Sequence, residues 1–319
     1  MKLSLIIPVF NEEGNLRDLF CAIEKTMNGL KQSWEVIFVD DGSRDGSLSI
    51  LQELAEQDPR HVSVVVFRRN YGQTAALAAG IDHSSGETII LLDADMQNDP
   101  ADIPMLLAKL DEGYDLVSGW RRQRKDNAIT RNFPSMVGNW LISRVTGVYL
   151  HDYGCTLKAY RRGALEGFRL YGEMHRFIPV YAASVGAKIT EIPVNHYPRV
   201  HGKTKYGLER TVKVILDLFT VKFLVAFSSK PIYLFGGTGL LLMAISAIIF
   251  AALLVRRIFF LVSVTGSPLF QMTAMFFILG FQSMLMGLIA ELLVRTYHES
   301  QRKPTYTVRS IIRGGKKRQ

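Results

Sequence analysis

Cysteine is scarce in this chain: two residues in 319, Cys21 and Cys155. That excludes a disulfide framework and a cysteine-based zinc site, and it fits a reducing, cytosolic setting for the soluble part. No Gly-x-Gly-x-x-Gly motif and no Walker loop occur, so neither glycine-rich phosphate cradle is available. There is no internal repeat and no low-complexity linker. No signal peptide is visible either: Leu3–Phe10 is apolar, but it is short, is broken by Pro8, and reads better as a first strand. Of the seven histidines, His83, His151 and His196 read as structural or surface groups rather than metal ligands.

What the chain has in excess is basic charge at one end and two long apolar runs. From Arg295 onward there are eight basic residues and one acidic, which accounts for +7 of the +9 net charge. Such a tail suits nucleic acid or an anionic membrane surface. The apolar runs decide between them. Ile232–Val255 and Pro268–Ala290 carry no charge over 24 and 23 residues. At about 1.5 Å per residue, each exceeds the roughly 30 Å hydrocarbon core as a helix. Two transmembrane helices are expected, the first ended by Arg256 and Arg257 and the second opened by Gly266-Ser267-Pro268. The positive-inside rule places the basic tail in the cytoplasm, and two spans return the N-terminal region to the same side. The tail then serves anionic lipids, and no nucleic acid is expected. Leu208–Ser229 mixes apolar residues with Lys213 and Lys222, as an interfacial helix does; an ordinary helix of the soluble domain is the alternative.

Before the spans, apolar runs alternate with helix-like stretches. Leu3–Val9, Glu35–Val39, Val62–Phe67, Thr88–Leu92 and Asp115–Val117 read as strands. Glu12–Leu30, Asp45–Gln57, Gln73–Ser84 and Ala101–Glu112 read as helices between them. This series predicts an α/β fold with a mostly parallel sheet covered on both faces. Ligands in such folds bind beyond the carboxyl ends of the strands, and the polar punctuation of the chain falls there. In Ile89–Gln97 an apolar run ends in Asp93, Asp95 and Gln97 at alternating positions. In an extended segment these side chains share one face. Hard oxygen donors of this kind suit Mg²⁺ or Mn²⁺ holding a diphosphate. A strand end followed by a polar turn is the plainer alternative.

Pro8-Val9-Phe10-Asn11-Glu12, Asp40-Asp41-Gly42-Ser43, Asn70-Tyr71-Gly72-Gln73 and Asp93-Ala94-Asp95-Met96-Gln97-Asn98 stand in this order at strand ends. Asp152-Tyr153-Gly154-Cys155, Gly202-Lys203-Thr204-Lys205-Tyr206, the two spans and the tail around Arg295-Thr296-Tyr297-His298-Glu299 follow. Together they resemble family 2 glycosyltransferases of the GT-A fold, in the polyisoprenyl-phosphate branch. That branch includes dolichol-phosphate mannose synthases and undecaprenyl-phosphate glucosyl- and formamidoarabinose transferases. The motifs around Asn70 and Asp152 look most like the last of these. The resemblance implies a metal-dependent, inverting transfer of one sugar from a UDP-sugar (or GDP-sugar) to a polyprenyl phosphate, for cell-envelope glycan or lipid A modification. The Gln-x-x-Arg-Trp motif of processive polysaccharide synthases is absent, which favours single-sugar transfer.

The implied organisation is a cytosolic catalytic domain over residues 1–207 and a juxtamembrane segment over 208–231. Spans over 232–255 and 268–291 follow, joined by an external loop over 256–267, and the basic tail occupies 292–319. The location is the inner membrane. Gly236, Gly237 and Gly239 could let helices pack closely within one chain or between copies of a homo-oligomer.

The resemblance assigns the donor nucleotide to Pro8, Phe10, Glu12, Asp41 and Asp93, and the metal to Asp93, Asp95 and Gln97. Glu12 could instead favour a helix N-terminus, and Asp40 could cap the turn at Gly42. Arg121, Arg131 and Ser135 fall to the acceptor phosphate, for which guanidinium groups are apt. Arg199 and Lys205 fall to a mobile lid over the diphosphate, hinged at Gly202; a basic loop against headgroups is the alternative. Asp152 would be a catalytic base for a hydroxyl acceptor. A phosphate monoester, with its second pKa near ~6, is already largely a dianion, so Asp152 is expected to orient the sugar or arginine side chains. Rival readings are transfer to a protein or diacylglycerol, and a catalytically silent membrane scaffold.

Overall fold

The computed structural model describes residues 2–122, 133–166, 170, 174–198, 232–260, 263–264, 266–300, 306–314 and 316–318. The chain divides into two units, Met1–Val221 with Pro304–Gln319, and Lys222–Lys303.

In the first unit, β1 (Lys2–Val9), β2 (Ser33–Asp40), β3 (Val62–Phe67) and β4 (Thr88–Leu91) are buried along almost their whole length. Near-continuous apolar runs of this kind belong to strands covered on both faces. β1 pairs in parallel with β2 and with β4, and β2 in parallel with β3. The helices between them are α1 (Leu16–Asn28), α2 (Ser47–Gln57), α3 (Gln73–His83) and α4 (Ile103–Asp111). Leu3, Leu5, Ile7 and Val9 share one core with Leu19 and Ile23 of α1, Leu51 and Leu54 of α2 and Leu106 and Leu110 of α4. Ile37, Val39, Val65 and Phe67 share the opposite core with Ala75, Ala76 and Ala79 of α3. Small residues bring α3 very near the sheet. A Cβ on Gly80 would stand 2.1 Å from Ile6 Cγ2, so this helix cannot carry a larger residue there without moving outward.

The remaining strands are β5 (Leu116–Trp120), β6 (Lys158–Arg161), β7 (Ile189–Pro193), β8 (Val308–Arg313) and β9 (Lys316–Arg318). With α5 (Phe133–Thr146) and α6 (Ile178–Ser184) they complete the unit. The sheet order is β7-β5-β6-β4-β1-β2-β3-β8-β9. Only β6 and β8 run against the other seven strands. The sequence reading found the first five strands and missed both reversed ones and β9. β6 has four residues with a basic residue at each end, which hides it from any apolar-run criterion.

β8 changes the meaning of the C-terminal segment. Residues 292–319 were expected to form a basic tail. Instead Val308–Arg313 pairs antiparallel with β3. Its charge count conceals an alternating strand in which Ser310 and Ile312 are buried. Just before it, Tyr306 stacks on Phe67 at 5.1 Å and donates to Asp82 Oδ2 of α3 at 2.8 Å. Phe67 in turn meets Tyr71 edge-on at 5.5 Å.

The second unit holds α7 (Ile232–Phe260) and α8 (Pro268–Ser300). Each contains a stretch long and apolar enough to cross a membrane, Phe235–Phe259 and Pro268–Ala290, with mean hydropathies of 2.6 and 1.8. Only 17% of the most apolar window is buried in either, unlike the core helix of a soluble protein. The first helix runs past the expected stop at Val255, through Arg256 and Arg257, and the second runs past 291. They cross closely at two glycines: a Cβ on Gly239 would lie 2.6 Å from Gly280 O, and one on Gly280 2.7 Å from Gly239 O. Where small residues let backbones approach, polar contacts become available. Ser246 Oγ donates to Thr273 O at 2.8 Å and Ser283 Oγ to Phe235 O at 2.8 Å. Gly239 thus packs within one chain. The expected juxtamembrane segment, 208–231, lies outside the described residues.

Tyr306→Ala should remove both the ring stack and the bond to Asp82, destabilising the first unit by about 3 kcal/mol. Tyr306→Phe should lose only about 1 kcal/mol. Denaturant unfolding of the two variants checks the order; equal stabilities would mean β8 is not braced through this ring.

Candidate active site

The carboxyl ends of β1, β2, β3 and β4 meet at one edge of the sheet, and their loops are tied to one another. After β1, Asn11 takes a left-handed conformation at φ 55°. Its N–H donates to Ser43 Oγ at 3.1 Å, and its Oδ1 accepts from Arg44 N at 2.8 Å. Glu12 N donates to Ser47 Oγ at 2.9 Å, and Glu12 Oε2 accepts from Asn15 Nδ2 at 2.7 Å. Pro8 and Phe10 sit half-buried beside this loop.

Asp40 and Asp41 follow β2, both buried, and they do different work. Asp40 Oδ1 accepts from Ser43 N at 3.3 Å, the turn-capping role. Asp41 reaches across to the loop after β3: Oδ1 accepts from Tyr71 N at 2.6 Å and Oδ2 from Gly72 N at 2.9 Å. The approach is close because Gly42 sits between them at φ 71°, where a Cβ would lie 2.7 Å from the Arg69 carbonyl carbon. Burial pushes the Asp41 carboxyl up from its usual 3.8 to about 6, against the two backbone N–H groups that pull it down.

The Asp93–Gln97 segment is not extended, as alternation had required. β4 ends at Leu91, and residues 94–96 turn, with Met96 left-handed at φ 59°. The turn, rather than strand alternation, sets how these side chains are grouped. Asp93 Oδ1 accepts from Gln73 Nε2 at 2.8 Å. Burial raises its carboxyl pKa, and the neighbouring Asp95 adds to the rise; a hydrogen bond from Thr156 and the charges of Arg121 and Lys158 oppose it. Asp95 is buried and accepts from Gln97 N at 3.2 Å. Gln97 Nε2 donates to Tyr197 O at 3.4 Å. Among the described residues no three His, Cys, Asp or Glu side chains form a cage for a metal. Two carboxylates and an amide oxygen are nonetheless the protein share that suits Mg²⁺ when substrate phosphates supply other donors.

Arg121, at the end of β5, grips Asp152 with a bidentate fork: Nε to Oδ2 at 2.6 Å and Nη2 to Oδ1 at 2.9 Å. Gly154 N also donates to Asp152 Oδ1 at 3.0 Å. The pair is largely buried, with side-chain exposures of 12% and 7%. The carboxylate holds one edge of the guanidinium and leaves the other edge's donors for a ligand. Lys158, opposite Leu91 in the β4–β6 pairing, is buried. Its Nζ donates to the carbonyls of Tyr153, at 3.3 Å, and Cys155.

The structure thus brings Asp93, Asp95, Gln97, Arg121 and Asp152 to one region and Glu12 and Asp41 to the neighbouring loops. Arg131, Arg199 and Lys205 lie outside the described residues, and so does the side chain of Ser135 on α5. The sequence reading gave no role to Gln73, Thr156 or Lys158. Gln73 stood inside a quoted motif. Nothing in one dimension shows that it is directed to Asp93.

A nine-stranded sheet with a parallel centre, helices on both faces and paired carboxylates at the exit of β4 defines the GT-A class of sugar-nucleotide transferase folds. Solved structures agree: glucosyl-3-phosphoglycerate synthase from Mycobacterium tuberculosis, in complex with Mn²⁺, UDP and phosphoglyceric acid, superposes with a TM-score of 0.53. It is 18% identical and the match covers 69% of this chain and 78% of that one, a likeness of fold. The family model "Glycosyl transferase family 2" matches residues 4–168. The chain belongs to this family, and it is a glycosyltransferase. It is 40% identical over 315 residues to the dodecaprenyl-phosphate galacturonate synthase of Rhizobium johnstonii, covering 98% of this chain and 93% of that protein. It is 39% identical over 314 residues to the undecaprenyl-phosphate 4-deoxy-4-formamido-L-arabinose transferase of Pseudomonas paraeruginosa, covering 97% and 90%.

Asp41 generates a pH prediction. Its folded carboxyl holds a proton to higher pH than the unfolded one, so stability is fullest below about pH 4 and falls as pH rises to about 6. A rise from 3.8 to about 6 corresponds to at most about 3 kcal/mol, and solvent screening brings the expected change to about 1–2 kcal/mol. Denaturant unfolding of wild type and Asp41→Asn between pH 4 and 7 should show stability shifting toward the variant over that interval and level above it. A constant difference would sink the assignment.

Proposed function

We propose that the protein transfers one sugar, with inversion, from a UDP-sugar to a polyprenyl phosphate, and that Asp93, Asp95 and Gln97 hold Mg²⁺ or Mn²⁺ with the donor diphosphate. The carrying observation is the pairing of two carboxylates after β4, Asp95 buried and Asp93 half-buried, with Asp93 driven toward its neutral form by desolvation and by Asp95. A divalent cation relieves that repulsion. Two relatives similar over nearly the full chain are named for polyprenyl-phosphate sugar transfer, which supports the acceptor.

The bound cation would neutralise charge on the departing diphosphate. Asp41, linked to Tyr71 and Gly72, keeps the nucleotide loop closed and can accept from a ribose hydroxyl or the uracil imide. A lipid phosphate oxygen forms the new bond to the anomeric carbon as the bond from that carbon to the diphosphate oxygen breaks. Arg121 presents its outer edge to the acceptor phosphate, and Asp152 positions Arg121. The acceptor dianion needs no proton removed, so Asp152 takes no proton. On the family resemblance, Arg131 and Ser135 join Arg121, and Arg199 and Lys205 steady the leaving group.

The sheet supports a two-crossing topology. β8 comes after both apolar helices, yet pairs with β3, which precedes them. The flanking segments therefore share one side of the membrane, as two crossings require. The supply of sugar nucleotides and the basic excess support a cytosolic side for both.

With labelled UDP-sugar and undecaprenyl phosphate in detergent, Asp95→Ala should lower turnover at least about a hundredfold, and chelator should stop the wild type. Turnover by Asp95→Ala with added Mn²⁺, or label passing only to diacylglycerol or protein, would overturn the reading. Asp152→Asn should lose rate at every pH without recovery under alkaline conditions. A base role instead predicts that the variant alone loses the acidic limb of the pH profile. In intact cells, Ser263→Cys in a Cys21→Ser background should react with an impermeant maleimide, whereas native Cys21, which is exposed, should react only after permeabilisation. The opposite pattern would invert the topology.

A further inference from the structure

The helix α3 and the two residues before it are held at both ends, by different parts of the chain. At the start, Tyr71 N and Gly72 N donate to the two oxygens of Asp41, and Gln73 Nε2 donates to Asp93 Oδ1. Three successive residues therefore reach both carboxylates read above as donor groups. At the end, Asp82 Oδ2 accepts from the Tyr306 hydroxyl at 2.8 Å, and His83 O accepts from Arg313 Nη2 at 2.9 Å. These two partners belong to the C-terminal segment, which follows both apolar helices in the chain.

The same segment also reaches the start of α3. Arg68 N donates to Thr307 O at 3.2 Å. The Tyr71 hydroxyl is hydrogen-bonded by the side chains of Thr307 and Arg69, which hold the phenol below its ordinary pKa. The Arg69 guanidinium lies over the Tyr71 ring, 4.4 Å from its centre. Tyr71 and Val308 pack against the core that Phe67, Ala75, Ala76, Ala79 and Tyr306 share. Covering the free edge of β3 needs only the backbone ladder of Val308–Arg313. A threonine hydroxyl on Tyr71 and a tyrosine hydroxyl on Asp82 add nothing to that ladder. They fix where α3 begins and ends, and so where the N–H groups of Tyr71 and Gly72 and the Gln73 amide stand.

We infer that Thr307 and Tyr306 are positioning residues for donor binding: the docked C-terminal strand holds Tyr71 and α3 where they set Asp41 and Asp93 for the nucleotide, so strand docking and nucleotide binding are coupled. The inference rests on the donor-site reading of Asp41 and Asp93 above, and adds to it an element that touches no substrate. Such coupling is reciprocal. A nucleotide that binds more tightly when the strand is docked must tighten the docking by the same factor.

The test uses the full-length protein in detergent, with UDP and Mn²⁺ as the probe. Thr307→Val removes the hydroxyl at nearly constant shape, and Thr307 is exposed, so Tm should hold. Its calorimetric Kd for UDP should rise about fivefold, the worth of one hydrogen bond. Thr307→Ser, which keeps the hydroxyl, should bind UDP like the wild type. Tyr71→Phe should weaken UDP binding as well, and adding Thr307→Val to it should weaken binding no further, because both changes break the same contact. Deuterium exchange at the amides of Val308–Arg313 should slow when UDP and Mn²⁺ saturate the wild type, and slow less in saturated Thr307→Val. An unchanged Kd in Thr307→Val and Tyr71→Phe would overturn the inference and leave the donor-site reading standing. So would a Thr307→Ser as weak as Thr307→Val, or strand exchange indifferent to bound UDP. A wild type that fails to bind UDP would bring down both.

Discussion

A carboxylate half-buried at the end of a strand must be answered by donors or by a cation, and Asp93 is the group that makes this demand on the rest of the unit. Its nearest like charge is Asp95, which raises its pKa further. The answers come from distant segments: Gln73 opens α3, Thr156 precedes β6, Lys158 lies within β6, and Arg121 ends β5. Each is placed by backbone packing. The small-residue face of α3, closest at Gly80 against Ile6, lets its first turn sit beside the exit of β4. The reversed β6 brings Lys158 opposite Leu91. The metal-holding reading is the chemical completion of the same electrostatic problem.

The second constraint is connectivity. A segment that follows the two long apolar helices returns to pair with β3, and Tyr306 ties it to Phe67 and Asp82. Phe67 contacts Tyr71, whose N–H is held by Asp41. The C-terminal strand therefore braces the loop after β3 that Asp41 holds. A charge count had assigned the same residues to headgroups. Their backbone belongs to the sheet, and Arg313 donates to His83 O at 2.9 Å.

Much of the fold was legible. The parallel strands and the helices after them have period-matched apolar patterns, and the boundaries fall within a few residues of those expected. The carboxylates of the site were legible as polar residues at strand ends. What stayed hidden has short-range reasons. β6 is too short and too basic to signal a strand, and β8 is masked by its arginines. The convergence of Asp93, Asp95 and Gln97 was expected from strand alternation, but it is produced by a turn with Met96 left-handed. The residues singled out stand in a turn, not in the extended geometry expected of them.

The sequence by itself determined the α/β class, the two apolar helices, the family and the carboxylates after the fourth strand, because each is written in contiguous patterns of polarity. Only the tertiary structure decided which donors answer Asp93 and that Asp152 grips Arg121. It also decided that the C-terminal segment closes the sheet. These depend on strand order and on the direction of β6 and β8. Neither is encoded locally, because both arise from which buried surfaces can be covered at once.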